Sequence, residues 1–261
     1  MADNVYSPPV SRLDCPLILR RLFAVPFAET KEITALEQEI YEAVKHRPED
    51  INCRILLLQV QLMLGRVERA KVMAYKIWEE GGEMDFQPEQ VYINALISLN
   101  LHEMAEKLLK PLVSATDGLS EGWFETAMRY ALASGEKTLF ARLAAAADET
   151  LYPKLENLYD FYEEHQYWPH FKQFQNIIFK ILENRLAFYE YAFLSDRGFT
   201  DLQISLYTNE NASAAADLED KINEAIIAYC AAKNIKRYYN FTVKVWDLKA
   251  HPALDAAALP A

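Results

Sequence analysis

The sequence predicts a mainly α-helical chain that closes in a small α/β unit, and three observations carry that prediction. Only 7 of the 261 residues are glycine, so chain reversals by Asn-Gly or Asp-Gly hairpin turns are absent from most of the sequence. Apolar residues recur at the three- and four-residue spacing of amphipathic helices through most of residues 32–185. Two later segments, 200–207 and 239–247, alternate apolar and polar residues, which is the period of a strand.

Residues 1–30 read as irregular, punctuated by Ser7-Pro8-Pro9, Pro16 and Pro26. Glu32–His46 follows as an amphipathic helix with Ile33, Leu36, Ile40, Ala43 and Val44 on one face, ended by Arg47-Pro48. Further helices are predicted over Ile51–Leu64, Val67–Glu80, Pro88–Leu99, His102–Leu112, Gly122–Ser134 and Lys137–Asp148, with very short turns inside each pair. Residues 151–193 are dense in aromatics, and Leu155–Glu164 and Phe171–Arg185 read as one more pair, with Tyr167-Trp168-Pro169 opening its second helix. Ala187–Phe193 either supplies a strand, the favoured reading, or prolongs the preceding helix. Thr200–Tyr207 and Tyr239–Asp247 are strands, with Leu202, Ile204 and Leu206, and then Phe241, Val243 and Val245, facing inward. Asp217–Lys233 between them is a helix, with Asp217 as N-cap and Asn234 as C-cap. Strand, helix, strand implies a parallel crossover of ββαβ or βαβ type. The expected organisation is an irregular segment 1–30, helix pairs over 31–185, an α/β unit over 186–248 and a loose Ala/Pro-rich tail over 249–261.

The turns keep a beat. Gly65, Asn100 and Gly135 stand 35 residues apart, and glycine and asparagine best tolerate the left-handed conformation that closes a helix. Five residues beyond the first two come Ala70 and Ala105. Leu64-Gly-Arg-Val-Glu-Arg-Ala70 and Leu99-Asn-Leu-His-Glu-Met-Ala105 resemble the inter-helix turn of the tetratricopeptide repeat, whose period is about 34 residues. The resemblance covers residues 31–150. The middle of each first helix departs from it, with Leu58, Ile93 and Met128 where a small residue is usual, and Phe140 replaces the small residue of the third unit. It implies a helix-hairpin solenoid whose concave wall carries Asn52, Ile55, Gln59 and Leu62, then Gln87, Gln90, Asn94 and Ile97, then Glu125, Arg129 and Leu132. Asn94 matches the family's peptide-gripping asparagine. The lysines and second arginine of its carboxylate-gripping set are absent.

Little in the chain spells catalysis. No G-x-G-x-x-G, P-loop or G-x-S-x-G motif occurs. Cys15, Cys53 and Cys230 are far apart with no C-x-x-C, the pattern of reduced thiols in a cytosolic protein. His165 and His170 are interrupted by Pro169 and read as turn histidines rather than metal ligands. The net charge is −11 with no basic segment, which argues against nucleic acid. No window has the length of a membrane span, and the N-terminus does not read as a signal peptide.

What remains is recognition. The expected function is non-catalytic protein–protein interaction in the cytoplasm, as an adaptor, chaperone or assembly factor, with no cofactor or metal. Asn52, Gln59, Gln90, Asn94, Glu125 and Arg129 would meet the partner on the helical wall, because amides serve both the donors and the acceptors of a peptide backbone. The aromatic cluster over 151–193 has two readings. As core, the favoured one for most of it, Tyr159, Tyr162, Phe171, Phe174, Ile178 and Phe179 seal the array against the α/β unit. As an interface, Tyr167, Trp168 and Tyr189 are anchors, and Trp168 is expected to meet the partner. Two alternatives stay open. One is an acidic inhibitor that neutralises a basic partner. The other is an enzyme with its site between the helical array and the α/β unit. Self-association through a C-terminal strand edge is a further expectation.

Overall fold

The computed structural model describes residues 14–82, 84–113, 119–148, 152, 155–196, 199–235 and 241–252. Eleven helices and a three-stranded sheet lie among them. The first helix, α1 (Cys15–Phe23), falls where an irregular segment was expected. Its proline is a start signal rather than a break. Pro16 sits in the first turn, where a missing N–H costs nothing, and the Asp14 carboxylate accepts the Leu17 N–H. Ile18, Leu19 and Leu22 then bury against α2 (Thr30–His46) and α3 (Ile51–Met63).

The following helices are α4 (Val67–Glu80), α5 (Phe86–Ser98), α6 (His102–Val113), α7 (Glu121–Ser134), α8 (Lys137–Ala146), α9 (Leu155–Glu164) and α10 (Trp168–Leu182). Four turns inside this run close in the same way. Gly65, Asn100, Gly135 and Gln166 all take positive φ, at 68°, 59°, 71° and 55°. In each, the next residue's N–H reaches back five residues: Arg66 to the Gln61 carbonyl, Leu101 to Leu96, Glu136 to Ala131 and Tyr167 to Tyr162. This satisfies a carbonyl that the helix end would otherwise orphan. The residue five past each left-handed position, namely Ala70, Ala105, Phe140 and Phe171, is fully buried. The fourth closure repeats the geometry but not the spacing, since Gln166 comes 31 residues after Gly135, and no glycine or asparagine announces it.

The sheet has the order β1-β2-β3, with β1 (Leu186–Asp196) antiparallel to β2 (Phe199–Thr208) and β2 parallel to β3 (Phe241–Asp247). Residues 187–193 are therefore strand. Leu202, Ile204 and Leu206 pair with Phe241, Val243 and Val245, and all six are buried. Between β2 and β3 runs α11 (Ala212–Ala232), which starts earlier than expected because Asn211, not Asp217, is the N-cap, accepting the Ala214 N–H. Asn234 takes φ 54° just beyond the Lys233 cap, and Ile235 bonds back to Cys230. A 3-10 turn, Leu248–Ala250, follows β3 and delivers His251 to a buried position, so residues 249–252 belong to the fold and not to a loose tail.

One apolar cluster runs through both parts without a break at residue 186. β1 lies against α3, α5 and α7, β2 touches α9, and α11 packs on β3 and α10. Phe241 meets Tyr167, Phe171 and Phe174, so the aromatic-rich helices are the floor on which the sheet sits. Polar ties cross the same boundary: the Asn209 amide donates to the Gly65 carbonyl (3.2 Å) and the Tyr189 N–H to the Ser98 hydroxyl (3.1 Å).

Gly135 tests the repeated closure. A Cβ there would lie 2.8 Å from the Lys172 Cα at φ 71°, so both backbone strain and a close approach oppose a side chain. Gly135→Ala is expected to cost ~2 kcal/mol or more by denaturant unfolding. Gly81→Ala, at φ 63° and ψ −170° with nothing within 4 Å, meets backbone strain without a close approach and should cost about 1–3 kcal/mol.

Candidate functional site

Six of the expected wall residues are interior. Asn52 is 8% exposed and Gln59 3%, and Ile55, Leu62, Ile97 and Leu132 are buried with them. Asn52 makes a two-way link, its amide donating to the Asp85 carboxylate (2.9 Å) and its oxygen accepting the Asp85 N–H (3.0 Å). It ties the start of α3 to the start of α5 and has nothing left for a partner. The chain supplies its own cover here, since β1 lies on α3, α5 and α7. Trp168, at 4% exposure, is core as well: it packs on Phe140, Tyr159, Tyr162 and Phe171, and its indole N–H points at the Tyr159 carbonyl. Tyr167 and Tyr189 are likewise buried. The anchor reading of these three does not hold, because Trp168 is enclosed by α8, α9 and its own helix, Tyr167 lies against Phe241 of β3, and Tyr189 packs on Phe179 of α10. The Gln87 side chain lies outside the described residues.

Gln90, Asn94, Glu125 and Arg129 come together at the neighbouring surface. Thr126 organises them. Its hydroxyl donates to the Gly122 carbonyl (2.9 Å) and accepts from the Gln90 amide (3.2 Å) and the Asn94 amide (3.1 Å). Its one proton is used, so Asn94 must offer its NH2 and turn its oxygen elsewhere. That oxygen is enclosed and accepts no hydrogen bond among the described residues. Thr126→Val would strand the Asn94 amide donor, while the Gln90 amide keeps the Gly122 carbonyl (2.7 Å), and is expected to lower stability by ~1–3 kcal/mol in a chemical melt.

One turn along, Glu125 is exposed, and its carboxylate accepts from the Tyr152 hydroxyl (3.2 Å). The Tyr191 hydroxyl reaches the Glu125 carbonyl (3.4 Å), Tyr191 contacts Phe193, and Tyr152 contacts Phe124. Tyr152, Tyr191 and Phe193 are half-buried. Arg129 is half-buried too, yet its Nε is enclosed without an acceptor and its guanidinium forms no ion pair among the described residues. Glu125 is held by Tyr152 and Glu190 by His251. Arg129 acts electrostatically on Tyr189, Glu190 and Tyr191 together. Arg129 stands one turn beyond Glu125 on α7, the helix that packs on β1 and whose Glu125 carbonyl takes the Tyr191 hydroxyl. Burial pushes the Tyr189 and Tyr191 phenols well above their usual range, and Arg129 opposes the rise.

On the opposite face of β1, His251 closes a small box. Its ring stacks on Phe27 (4.1 Å) and contacts Phe188 and Tyr207. Nε2 faces the Glu190 carboxylate (3.0 Å) and Nδ1 the Pro252 carbonyl (2.8 Å). Both ring nitrogens face acceptors, so neither is free to take a proton from a substrate; the pair latches the chain's end to the sheet. Burial works against ionisation of Glu190, but the hydrogen bond and charge of His251, helped by Arg129, outweigh it and hold the carboxyl below its usual range. His102 is the opposite case. Burial, aided by Lys172, lowers it to about 4 against a bond to Ile97. His165 sits edge-on to Phe161, and His170 bonds the Tyr229 hydroxyl. Cys53 and Cys230 are buried thiols.

No family model matches the chain, and no curated protein or solved structure matches it. No helix among the described residues is long and apolar enough to cross a membrane. Tyr152, Tyr191, Glu190 and His251 are the site residues that sequence reasoning passed over. Tyr191 and Glu190 belonged to the segment left between strand and helix, and nothing in the sequence around His251 ties it to Glu190.

Both pKa shifts act in the same direction below neutrality. Between pH 6.5 and about 4 the unfolded chain protonates at His102 while the native chain does not, so native stability falls as pH falls through that window. Below the ordinary carboxylate range the Glu190 contribution is lost as well. His102→Leu should flatten the pH dependence of the melting temperature between pH 6.5 and 4.5, while Glu190→Gln should flatten it only below about 4.5.

Proposed function

We propose that this chain is a non-catalytic protein-interaction protein of tetratricopeptide-like build, an adaptor, chaperone or assembly factor, which receives a protein partner at the junction of α7 and β1. The observation that carries this reading is the composition of that junction. Half-buried Tyr152, Tyr191 and Phe193 stand beside Gln90, Asn94 and Arg129, which combines aromatic contact area with donors and acceptors of both signs. Aromatics and arginine are the residue types that dominate binding energy at interfaces. The four identical turn closures and the buried residue five positions beyond each support a solenoid of helix pairs. Against the wall first expected, the binding surface is shortened, since Asn52 and Gln59 are internal. The buried cysteines and the acidic balance suit a reducing compartment such as the cytoplasm.

A photo-crosslinking amino acid placed at Tyr152 should trap a discrete protein from native extract, and the same group at Tyr41, exposed on α2 at 52%, should not. Tyr191→Ser and Arg129→Gln should each reduce the yield severalfold without loss of the cooperative melt. Equal trapping at both positions would overturn the reading.

A further inference from the structure

The sheet has two outer edges, and side chains of the protein cap a main-chain N–H on each. On β3 the Val245 N–H donates to the Glu219 carboxylate (3.0 Å), which also holds Lys244 (2.8 Å). On β1 the Tyr189 N–H donates outward to Ser98. Alternate residues of an antiparallel strand turn their main-chain groups to the same edge. Tyr191, Phe193 and Ser195 therefore share the outward direction of Tyr189. Among the described residues nothing outside the sheet bonds their N–H groups. Burial falls off along the same stretch, from fully buried Tyr189 to Leu194 at 49% exposure. The expected self-association edge thus narrows to residues 191–195.

We infer that this open edge takes an extended segment of a partner protein as an added strand, and that the segment carries an acidic side chain that pairs with Arg129. Uncapped main-chain groups beside apolar side chains are the requirement for strand addition, in which the backbone supplies affinity and the flanking side chains supply selectivity. Arg129 supplies the selectivity here. It stands one turn beyond Glu125, whose carbonyl takes the Tyr191 hydroxyl, it forms no ion pair among the described residues, and the Glu125 and Glu190 carboxylates are already engaged by Tyr152 and His251. A carboxylate arriving on the added strand would form a charge-assisted pair with it. A basic segment would meet an unpaired cation instead. The inference rests on the interaction reading above and specifies its mode.

The test uses the full chain, isotopically labelled, titrated with a synthetic alternating Val/Glu heptapeptide and with its Val/Lys counterpart. The Val/Glu peptide is expected to bind, to shift the Tyr191 and Phe193 amides and to slow their hydrogen exchange. Arg129→Gln should weaken it about tenfold. Phe193→Pro, which removes one outward N–H at an edge where proline is tolerated, should weaken it while leaving the spectrum native. No binding of the Val/Glu peptide, equal binding of the Val/Lys peptide, or binding that leaves those two amides unprotected overturns strand addition. Concentration-dependent dimerisation that protects the same amides overturns it in favour of a second copy of this chain. Trapping at Tyr152 with unchanged β1 amides would keep the interaction reading and reject only this mode.

Discussion

Tyr189 is the point at which the helices and the sheet have to agree. Its ring is fully buried and stacks on Phe179 of α10, and its main-chain N–H is spent on Ser98 at the end of α5. A strand edge with no partner is costly when buried, and a row of apolar helix faces is costly when bare. Laying β1 across α3, α5 and α7 answers both at once. The rest follows from that docking. β2 is placed over α9, β3 reaches the aromatic floor of α9 and α10 through Phe241, and the turn after β3 brings His251 back to Phe27 near the other end of the chain.

The same docking decides which polar residues remain for function. Amides near the start of the array are consumed internally, Asn52 by Asp85 and the Gln61 amide by Glu37. Farther along, β1 leaves the helices, and polar groups there are held in place without being satisfied. Thr126 shows how. By giving its only proton to Gly122 it dictates the orientation of Asn94, while the Gln90 amide is held by the Gly122 carbonyl and by Thr126 together. Arg129 is a cation kept in position by packing instead of by an ion pair. A surface made this way is pre-organised, and less side-chain entropy is lost when a ligand arrives.

Much of the helical part was legible in the sequence. Val67–Glu80 and Leu155–Glu164 match α4 and α9 end to end, because glycine, asparagine and short polar turns mark their limits. The inward faces of β2 and β3 were legible for the same reason, strict alternation. β1 was ambiguous because its first half is buried on both faces. Leu186, Ala187, Phe188 and Tyr189 are all interior, so no alternation marks them as strand or helix. α1 was hidden by Pro16, which reads as a break unless the Asp14 cap is recognised as the start of a helix. Of the candidate site, the α7 half was visible as Glu125 and Arg129, and the strand half was not.

The sequence alone determined the local rules: where helices stop, which residues can take positive φ, which faces are apolar, and that helix pairs recur every 35 residues through Gly65, Asn100 and Gly135. These are short-range properties, settled by the backbone and by spacing along the chain. Tertiary structure alone decided which apolar face meets which, and therefore that Trp168 is core, that Gln59 is closed off, and that Glu190 finds His251 61 residues away. Burial is a property of neighbours in space, and no pattern within one segment encodes what the rest of the chain will lay on top of it.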